Sequence, residues 1–357
     1  MGDSLRKPHR TRLRTPNHKD SEAVFGSVDS DSSAAADARP SRRTCIIVCG
    51  MHRTGTSAVA RVVSLLGADL PKELISPNAN NVRGYWEPRA VVRVHDQLLE
   101  ALGTSSADPF PLPRDWLELS CTQQAKAELA GIIESDFSES SLFVVKDPRI
   151  TKVLPLWLEL LDELQVHTRV VIPFRHPLDV AASLKARDNM SLATSLLLYV
   201  NSYLSAELAS RGRRRCFVSY DQLLSDWRYL QGKLTDILGR RLPKESSERS
   251  FEIESYLSSE LRHHQHNRDD LRRLANAQPI VAELYDLLKE SALSDDSIRL
   301  QKSFDRLRRL FDDAASLYRP YMIDERARWQ EAVNQFEHSK SWRATAPLRW
   351  MNRIVNL

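Results

Sequence analysis

Cysteine is scarce in this chain, and the four present (Cys45, Cys49, Cys121, Cys216) are scattered. That excludes a disulfide framework and points to a reducing compartment. Cys45 and Cys49 do not have the spacing of a redox pair. With Cys216 they fall in strand-like apolar stretches, where a thiol behaves as a small apolar side chain. No Cys or carboxylate stands at ligand spacing from the cluster His263, His264 and His266, so no metal is expected. No apolar run approaches the ~20 residues a membrane helix needs, and the N-terminus has no signal-like apolar core. Excess charge is missing too: 51 Lys and Arg against 47 Asp and Glu leave +4. With no basic-aromatic motif, nucleic acid is not an expected partner. The mild positive balance suits a small anionic ligand. No internal repeat is visible.

What remains is ample for one core. The 357 residues are 42% hydrophobic, enough for a single α/β domain with additions. Residues 1–43, rich in Arg, Ser, Asp and Pro, read as a disordered tail. Strands at 45–49, 142–146, 169–174 and 215–219 then alternate with helices at 56–66, 87–102, 122–134, 151–164, 178–210 and 221–238. Such alternation predicts a P-loop-type parallel sheet flanked by helices, in a domain spanning 44–290. A helical extension follows over 291–337. Its residues Leu300, Phe304, Leu307, Phe311 and Ala314 step by four and three. Pro320 is expected to interrupt it. This seam either packs back on the core or pairs with a second helix, in a homo-oligomer or with a partner. Residues 338–357 form a basic-aromatic tail.

The most informative stretch is Thr44-Cys-Ile-Ile-Val-Cys-Gly-Met-His-Arg-Thr-Gly-Thr-Ser57. It reads as a buried strand, a turn bracketed by Gly50 and Gly55, and a helix with apolar residues at Val59, Val62, Val63 and Leu66. Amides at such a helix start point at an anion, and the helix dipole favours negative charge there. The loop lacks the Gly-Lys-Ser/Thr of nucleoside triphosphatases. Its cation, Arg53, precedes Gly55, and the hydroxyls of Thr54, Thr56 and Ser57 surround it. A second strand-to-helix stretch, Arg169-Val-Val-Ile-Pro-Phe-Arg-His-Pro-Leu-Asp-Val-Ala-Ala-Ser183, places Arg175 at the strand end and Ser183 on the following helix. A guanidinium and a hydroxyl suit a phosphate recognised by geometry rather than by a metal.

These loops resemble, in order, the 5′-phosphosulfate loop and the 3′-phosphate motif of sulfotransferases. His52 stands where that family usually has Pro. The resemblance covers roughly residues 44–265. It implies 3′-phosphoadenosine 5′-phosphosulfate as donor, held by Arg53, Thr54, Gly55, Thr56 and Ser57 at one end and by Arg175 and Ser183 at the other. Lys146-Asp-Pro148 resembles the Lys-Asp-Pro of tyrosylprotein sulfotransferases and the Lys-Ser/Thr-Pro of heparan sulfotransferases, which implies that Lys146 approaches the sulfuryl group. Those families place a catalytic Glu in the region of Glu87. It is the candidate general base, with His95 or Asp96 as substitutes. The residue-level alternative for Glu87 is a charge in the first turn of a helix. Tyr85 and Trp86 either shape the acceptor site or pack. The segment around Leu261-Arg-His263 resembles a basic loop that covers the donor, making Arg262 and His263, with His264, candidate ligands of the 3′-phosphate.

Ser339-Lys-Ser-Trp-Arg-Ala-Thr-Ala-Pro-Leu-Arg349 resembles a terminal tag of bacterial proteins that build or decorate surface polysaccharides, which tilts the acceptor toward a glycan or glycolipid. Trp342, Arg343, Arg349, Trp350 and Arg353 are candidates for contact with a membrane surface or a polysaccharide-assembly partner. The expected setting is bacterial and cytoplasmic, peripheral at the inner membrane face, rather than a Golgi enzyme on a membrane stem. Two other classes stay open. One is a phosphoryl-transfer enzyme, for which Asp147 is the one candidate to hold Mg²⁺. The other is a non-catalytic glycan-assembly scaffold working through the C-terminal helices.

Overall fold

The computed structural model describes residues 43–78, 81–244, 247–257, 270, 273, 278–294 and 298–345. Arg262, His263 and His264 lie outside the described residues, as do positions 1–42 and 346–357.

Four short strands form the centre: β1 (Thr44–Val48), β2 (Leu142–Lys146), β3 (His167–Phe174) and β4 (Arg215–Ser219). They pair in the order β2-β1-β3-β4, and every pairing is parallel. The strands are apolar along their length because both faces are covered. Cys45, Ile47, Phe143, Val145, Val170, Ile172 and Phe217 point into one core. Their neighbours Ile46, Val48, Val144, Val171, Cys216 and Val218 point into the other.

The second core lies under α1 (Thr56–Leu65), α7 (Tyr220–Ser225), α8 (Arg228–Leu238) and α9 (Ser247–Tyr256). The first is covered by α2 (Arg89–Ala101), α3 (Ser120–Phe137), α4 (Ile150–Glu163), α5 (Pro177–Asp188) and α6 (Leu192–Ser210). The helices α10 (Pro279–Leu293) and α11 (Ile298–His338) add to that layer, and the short α12 (Lys340–Ala344) follows. No described helix is long and apolar enough to cross a membrane.

Three expectations need correction. The single helix expected over 178–210 is two. Asn189 takes the left-handed conformation (φ 54°) and closes α5 by donating its amide to the Lys185 carbonyl. Ser191 then caps α6, its hydroxyl accepting from the Thr194 amide. Asn tolerates that conformation and Ser is a strong N-cap, so the break is local chemistry. The helix expected over 221–238 is likewise divided, by extended backbone at Asp226. Its carboxylate accepts from the Arg228 amide and starts α8. By contrast, Pro320 does not end α11, which continues to His338. Proline removes one helical bond, to the carbonyl four residues back, and that residue, Ser316, lies on an exposed turn.

The seam of α11 also differs in detail. Leu300, Phe304, Leu307 and Phe311 are buried in the first core. The next buried position is Ala315, whereas Ala314 is exposed.

Candidate active site

All four strands deliver residues to one cavity at their carboxyl ends, where open α/β sheets bind ligands. The cavity holds about 220 Å³ and is lined among others by Arg53, Gly55, Ser57, Lys146, Arg175 and Tyr220. Arg53, Gly55 and Ser57 follow β1, Lys146 ends β2, Arg175 follows β3, and Tyr220 follows β4.

The loop after β1 is tightly constrained. Arg53 and Gly55 both have positive φ, 69° and 90°. A Cβ on Gly55 would lie 2.2 Å from the Tyr220 ring, so only glycine fits there. Thr54 is fully buried, and its hydroxyl donates 2.7 Å to the Met51 carbonyl. The side chain therefore shapes the turn; of the predicted donor ligands near the loop, Thr54 alone does not line the cavity. Its remaining contribution is its main-chain amide. Thr56 and Ser57 begin α1 and do line the cavity.

The two phosphate motifs, 130 positions apart, meet directly. Arg53 Nε donates to Ser183 Oγ at 2.8 Å. Arg175 is buried, 3.4 Å from the Asp179 carboxylate, with its guanidinium 5.2 Å above the Tyr220 ring. Tyr199 and Tyr203 of α6 hold the adjoining backbone through the carbonyls of Arg175 and Pro173, at 3.0 and 2.8 Å. Burial lowers the basicity of Arg53, and the nearby Arg187 and Arg175 cations lower it further. Positive charge crowded this closely is relieved by a bound anion.

Lys146 and Glu87 form the reactive-looking centre. Their side chains are 2% and 8% exposed, and Nζ lies 2.6 Å from Glu87 Oε1. The ammonium also donates to the Tyr85 carbonyl at 2.9 Å and to Ser57 Oγ at 3.1 Å. Glu87 Oε2 has Arg149 Nη1 at 3.9 Å. Glu87 is not a helix-start charge, since α2 begins at Arg89 after the cap residue Pro88. A short backbone pairing fixes it instead, Ile75 N to Glu87 O at 2.9 Å and Arg89 N to Glu73 O at 3.0 Å. Tyr85 lines the cavity. Trp86 packs away from it, donating to Tyr256 Oη at 3.1 Å under the Arg61 guanidinium.

His95 cannot substitute as base. It is fully buried, and both ring nitrogens are occupied. Trp157 Nε1 donates to Nε2 at 2.8 Å, so Nδ1 carries the proton and donates to Asp147 Oδ2 at 2.7 Å. Asp96 is paired with Arg149 at 2.6 Å. Asp147 is equally committed: its Oδ1 accepts from the Arg149 amide and guanidinium, both at 3.0 Å. Burial by itself would raise this carboxyl, but the His95 hydrogen bond and Arg149 hold it well below the usual carboxylate range. Asp147 is fully buried, both its oxygens are hydrogen-bonded and it does not line the cavity, so it is not presented as the Mg²⁺ ligand that the phosphoryl-transfer alternative calls for.

Several lining residues were not anticipated: His52, Arg83, Arg187, Tyr220 and Tyr256. Arg187 was within reach of sequence reasoning, because it stands four residues after Ser183 on α5 and so shares its face. Tyr220, Arg83 and Tyr256 reach the cavity only through tertiary packing. Burial and the cations Arg187 and Arg149 push the His52 imidazole down to about 3.

No family model matches the chain, and no curated protein is detectably similar in sequence. Similar solved structures include the sulfotransferase domain of the Synechococcus olefin synthase, at 15% identity, 76% of this chain, 95% of that one and TM-score 0.37. A sulfotransferase from Mycobacterium tuberculosis matches at 14% identity over 59% of this chain and 71% of that one, TM-score 0.34. A mouse sulfotransferase complexed with PAP matches at 15% identity over 79% and 90%, TM-score 0.32. At such identities nothing about substrate passes from those proteins to this chain.

Proposed function

We propose that this chain transfers the sulfuryl group of 3′-phosphoadenosine 5′-phosphosulfate to a hydroxyl of a saccharide or glycolipid. The observation that carries the reading is the 2.8 Å contact between Arg53 Nε and Ser183 Oγ. It joins the loop suited to the phosphosulfate with the motif suited to the 3′-phosphate, in a cavity that also contains a buried Lys–Glu pair.

In this reading the loop amides from 54 to 57 and Arg53 hold the phosphosulfate, and Arg175 fixes the nucleotide by its 3′-phosphate. The acceptor oxygen attacks sulfur. A new O–S bond forms as the bond from sulfur to the 5′-phosphate oxygen breaks, and the electron pair leaves with adenosine 3′,5′-bisphosphate. The acceptor proton passes to Glu87. Oε1 of Glu87 is engaged by Lys146, so Oε2 is the oxygen suited to take it. Lys146 supplies positive charge where it grows negative on the departing bridging oxygen. Fixed cations fill the role a metal ion has in phosphoryl transfer.

The test is calorimetric titration with adenosine 3′,5′-bisphosphate, using 5′-AMP and Mg·ATP as controls. Binding that requires the 3′-phosphate and is lost in Arg175→Ala is expected. Equal or tighter binding of Mg·ATP would overturn the reading.

A further inference from the structure

His52 lines the same cavity as Lys146 and Glu87. Its side chain is half-buried, and among the described residues neither ring nitrogen has a hydrogen-bond partner. Burial keeps the ring neutral, and the cations Arg187, Arg149 and Lys146 add to that, against the opposing carboxylate of Asp147. The imidazole therefore offers one N–H and one bare nitrogen. Lys146 and Arg149 are also the cations beside Glu87, at 2.6 and 3.9 Å. His52 thus stands at the Glu87 end of the cavity, where the acceptor must deliver its proton.

What this ring can bind follows from its chemistry. An anion would be taken by the guanidinium groups of Arg53, Arg83, Arg175 and Arg187, which line the same cavity. A neutral group with one donor and one acceptor matches a hydroxyl, which has both. The protein hydroxyls nearby are already engaged. Ser57 Oγ accepts from Lys146 and donates to the Tyr85 carbonyl, at 3.1 Å in each case. Tyr85 Oη donates to Asn78 Oδ1 at 2.7 Å. Nor is the attacking hydroxyl the match, because a bond from the His52 N–H would hold the electrons it needs for sulfur. A second hydroxyl of the acceptor is left.

We propose that the acceptor is a vicinal diol, the arrangement of neighbouring ring hydroxyls in a saccharide, and that His52 is the residue that selects it. Glu87 takes the proton of the attacking hydroxyl while the His52 ring binds the adjacent one. This rests on the sulfuryl-transfer reading and narrows its substrate class.

The experiment gives the full chain 3′-phosphoadenosine 5′-phosphosulfate with two probe acceptors, ethylene glycol and ethanol, at equal concentration. The monosulfates are quantified by mass spectrometry. The wild type is expected to favour the diol about tenfold per hydroxyl, the worth of one good hydrogen bond. His52→Leu should bring the ratio to about one. His52→Gln, whose amide keeps a donor and an acceptor, should restore most of it. Calorimetric affinity for adenosine 3′,5′-bisphosphate should stay within about twofold in both variants. A wild type without preference would overturn the proposal, as would a preference that survives in His52→Leu. If neither alcohol is sulfated, nitrogen NMR of histidine-labelled protein saturated with the bisphosphate decides. The His52 ring signals, identified by their loss in His52→Gln, should shift with ethylene glycol and not with ethanol; equal responses would overturn the proposal. A wild type that does not bind the bisphosphate at all would instead sink the sulfuryl-transfer reading beneath it.

Discussion

The buried pair of Lys146 and Glu87 can be weighed by removing its members singly and together. In Glu87→Leu the ammonium keeps two neutral acceptors, the Tyr85 carbonyl and Ser57 Oγ, but loses its counterion in a site where its side chain is 2% exposed. Breaking a buried pair in this way costs about 3–5 kcal/mol. Lys146→Met leaves the carboxylate with Arg149 at 3.9 Å as its nearest cation, so its cost belongs near the lower end of that range. Lys146→Met/Glu87→Leu removes both charges and fills similar volume. What remains is the lost donor to Tyr85 O and Ser57 Oγ, about 1–2 kcal/mol. The double variant is therefore expected to be more stable than either single one.

Urea unfolding measures this directly, provided the slope with denaturant stays constant. The expected coupling between the two positions is at least ~3 kcal/mol, the upper end for residues in contact. If the double variant lost the sum of the two single losses to within ~0.5 kcal/mol, the pair would not be a coupled unit and its place at the centre of the site would fall. Glu87→Gln provides the functional counterpart. Its amide oxygen still accepts from Lys146, so it should cost less stability than Glu87→Leu, and turnover should drop by roughly 10²–10⁴ on the proposal that Glu87 takes the acceptor proton.

Three further expectations are simpler to check. Gly55→Ala combines a left-handed backbone at φ 90° with a Cβ 2.2 Å from the Tyr220 ring; strain and overpacking together should cost about 2–4 kcal/mol in thermal unfolding and abolish nucleotide binding. A change under ~0.5 kcal/mol would show that the loop is not held against Tyr220. Arg187→Ala should weaken adenosine 3′,5′-bisphosphate about tenfold or more, the worth of one charge-assisted hydrogen bond; unchanged calorimetric affinity would remove Arg187 from the site. His52 is held at about 3 in the folded protein, against about 6.5 when unfolded. Between those values the unfolded chain binds the extra proton, so stability falls as pH drops from 6.5 toward 3, by up to ~1.4 kcal/mol per pH unit. The urea midpoint of His52→Gln should depend less steeply on pH in that window, and an unaltered slope would refute the assignment.

The strand–loop–helix units were legible because their signals are local: β-branched apolar runs, Gly50 and Gly55 around one turn, Pro177 at a helix start. The sheet order was not, since nothing local states that β1 sits between β2 and β3. Helix breaks at Asn189 and Asp226 were missed because the apolar pattern continues across them, while side-chain capping interrupts the backbone. His95 shows a different limit. It stands on α2 with Val91, Val94, Leu98 and Leu99, all buried. That periodicity already places it on the core side of the helix rather than in a cavity.

The Lys146-Asp147-Pro148 motif gathers these lessons into one physical argument. Successive side chains at a strand end point to opposite sides. Lys146 therefore meets Glu87 in the cavity, and Asp147 enters the core to meet His95 and Arg149. The two charged neighbours thus have separate duties. Lys146 is expected to govern turnover. Asp147 holds Arg149, and through it the flank of Glu87, so its removal should act first on stability. Asp147→Asn retains an acceptor for the His95 proton but loses the charge facing Arg149. It should lower the urea midpoint more than Lys146→Arg does, and Lys146→Arg should lower turnover more than Asp147→Asn does. The reverse ranking would mean that the motif's chemistry lies on its acid and not on its lysine.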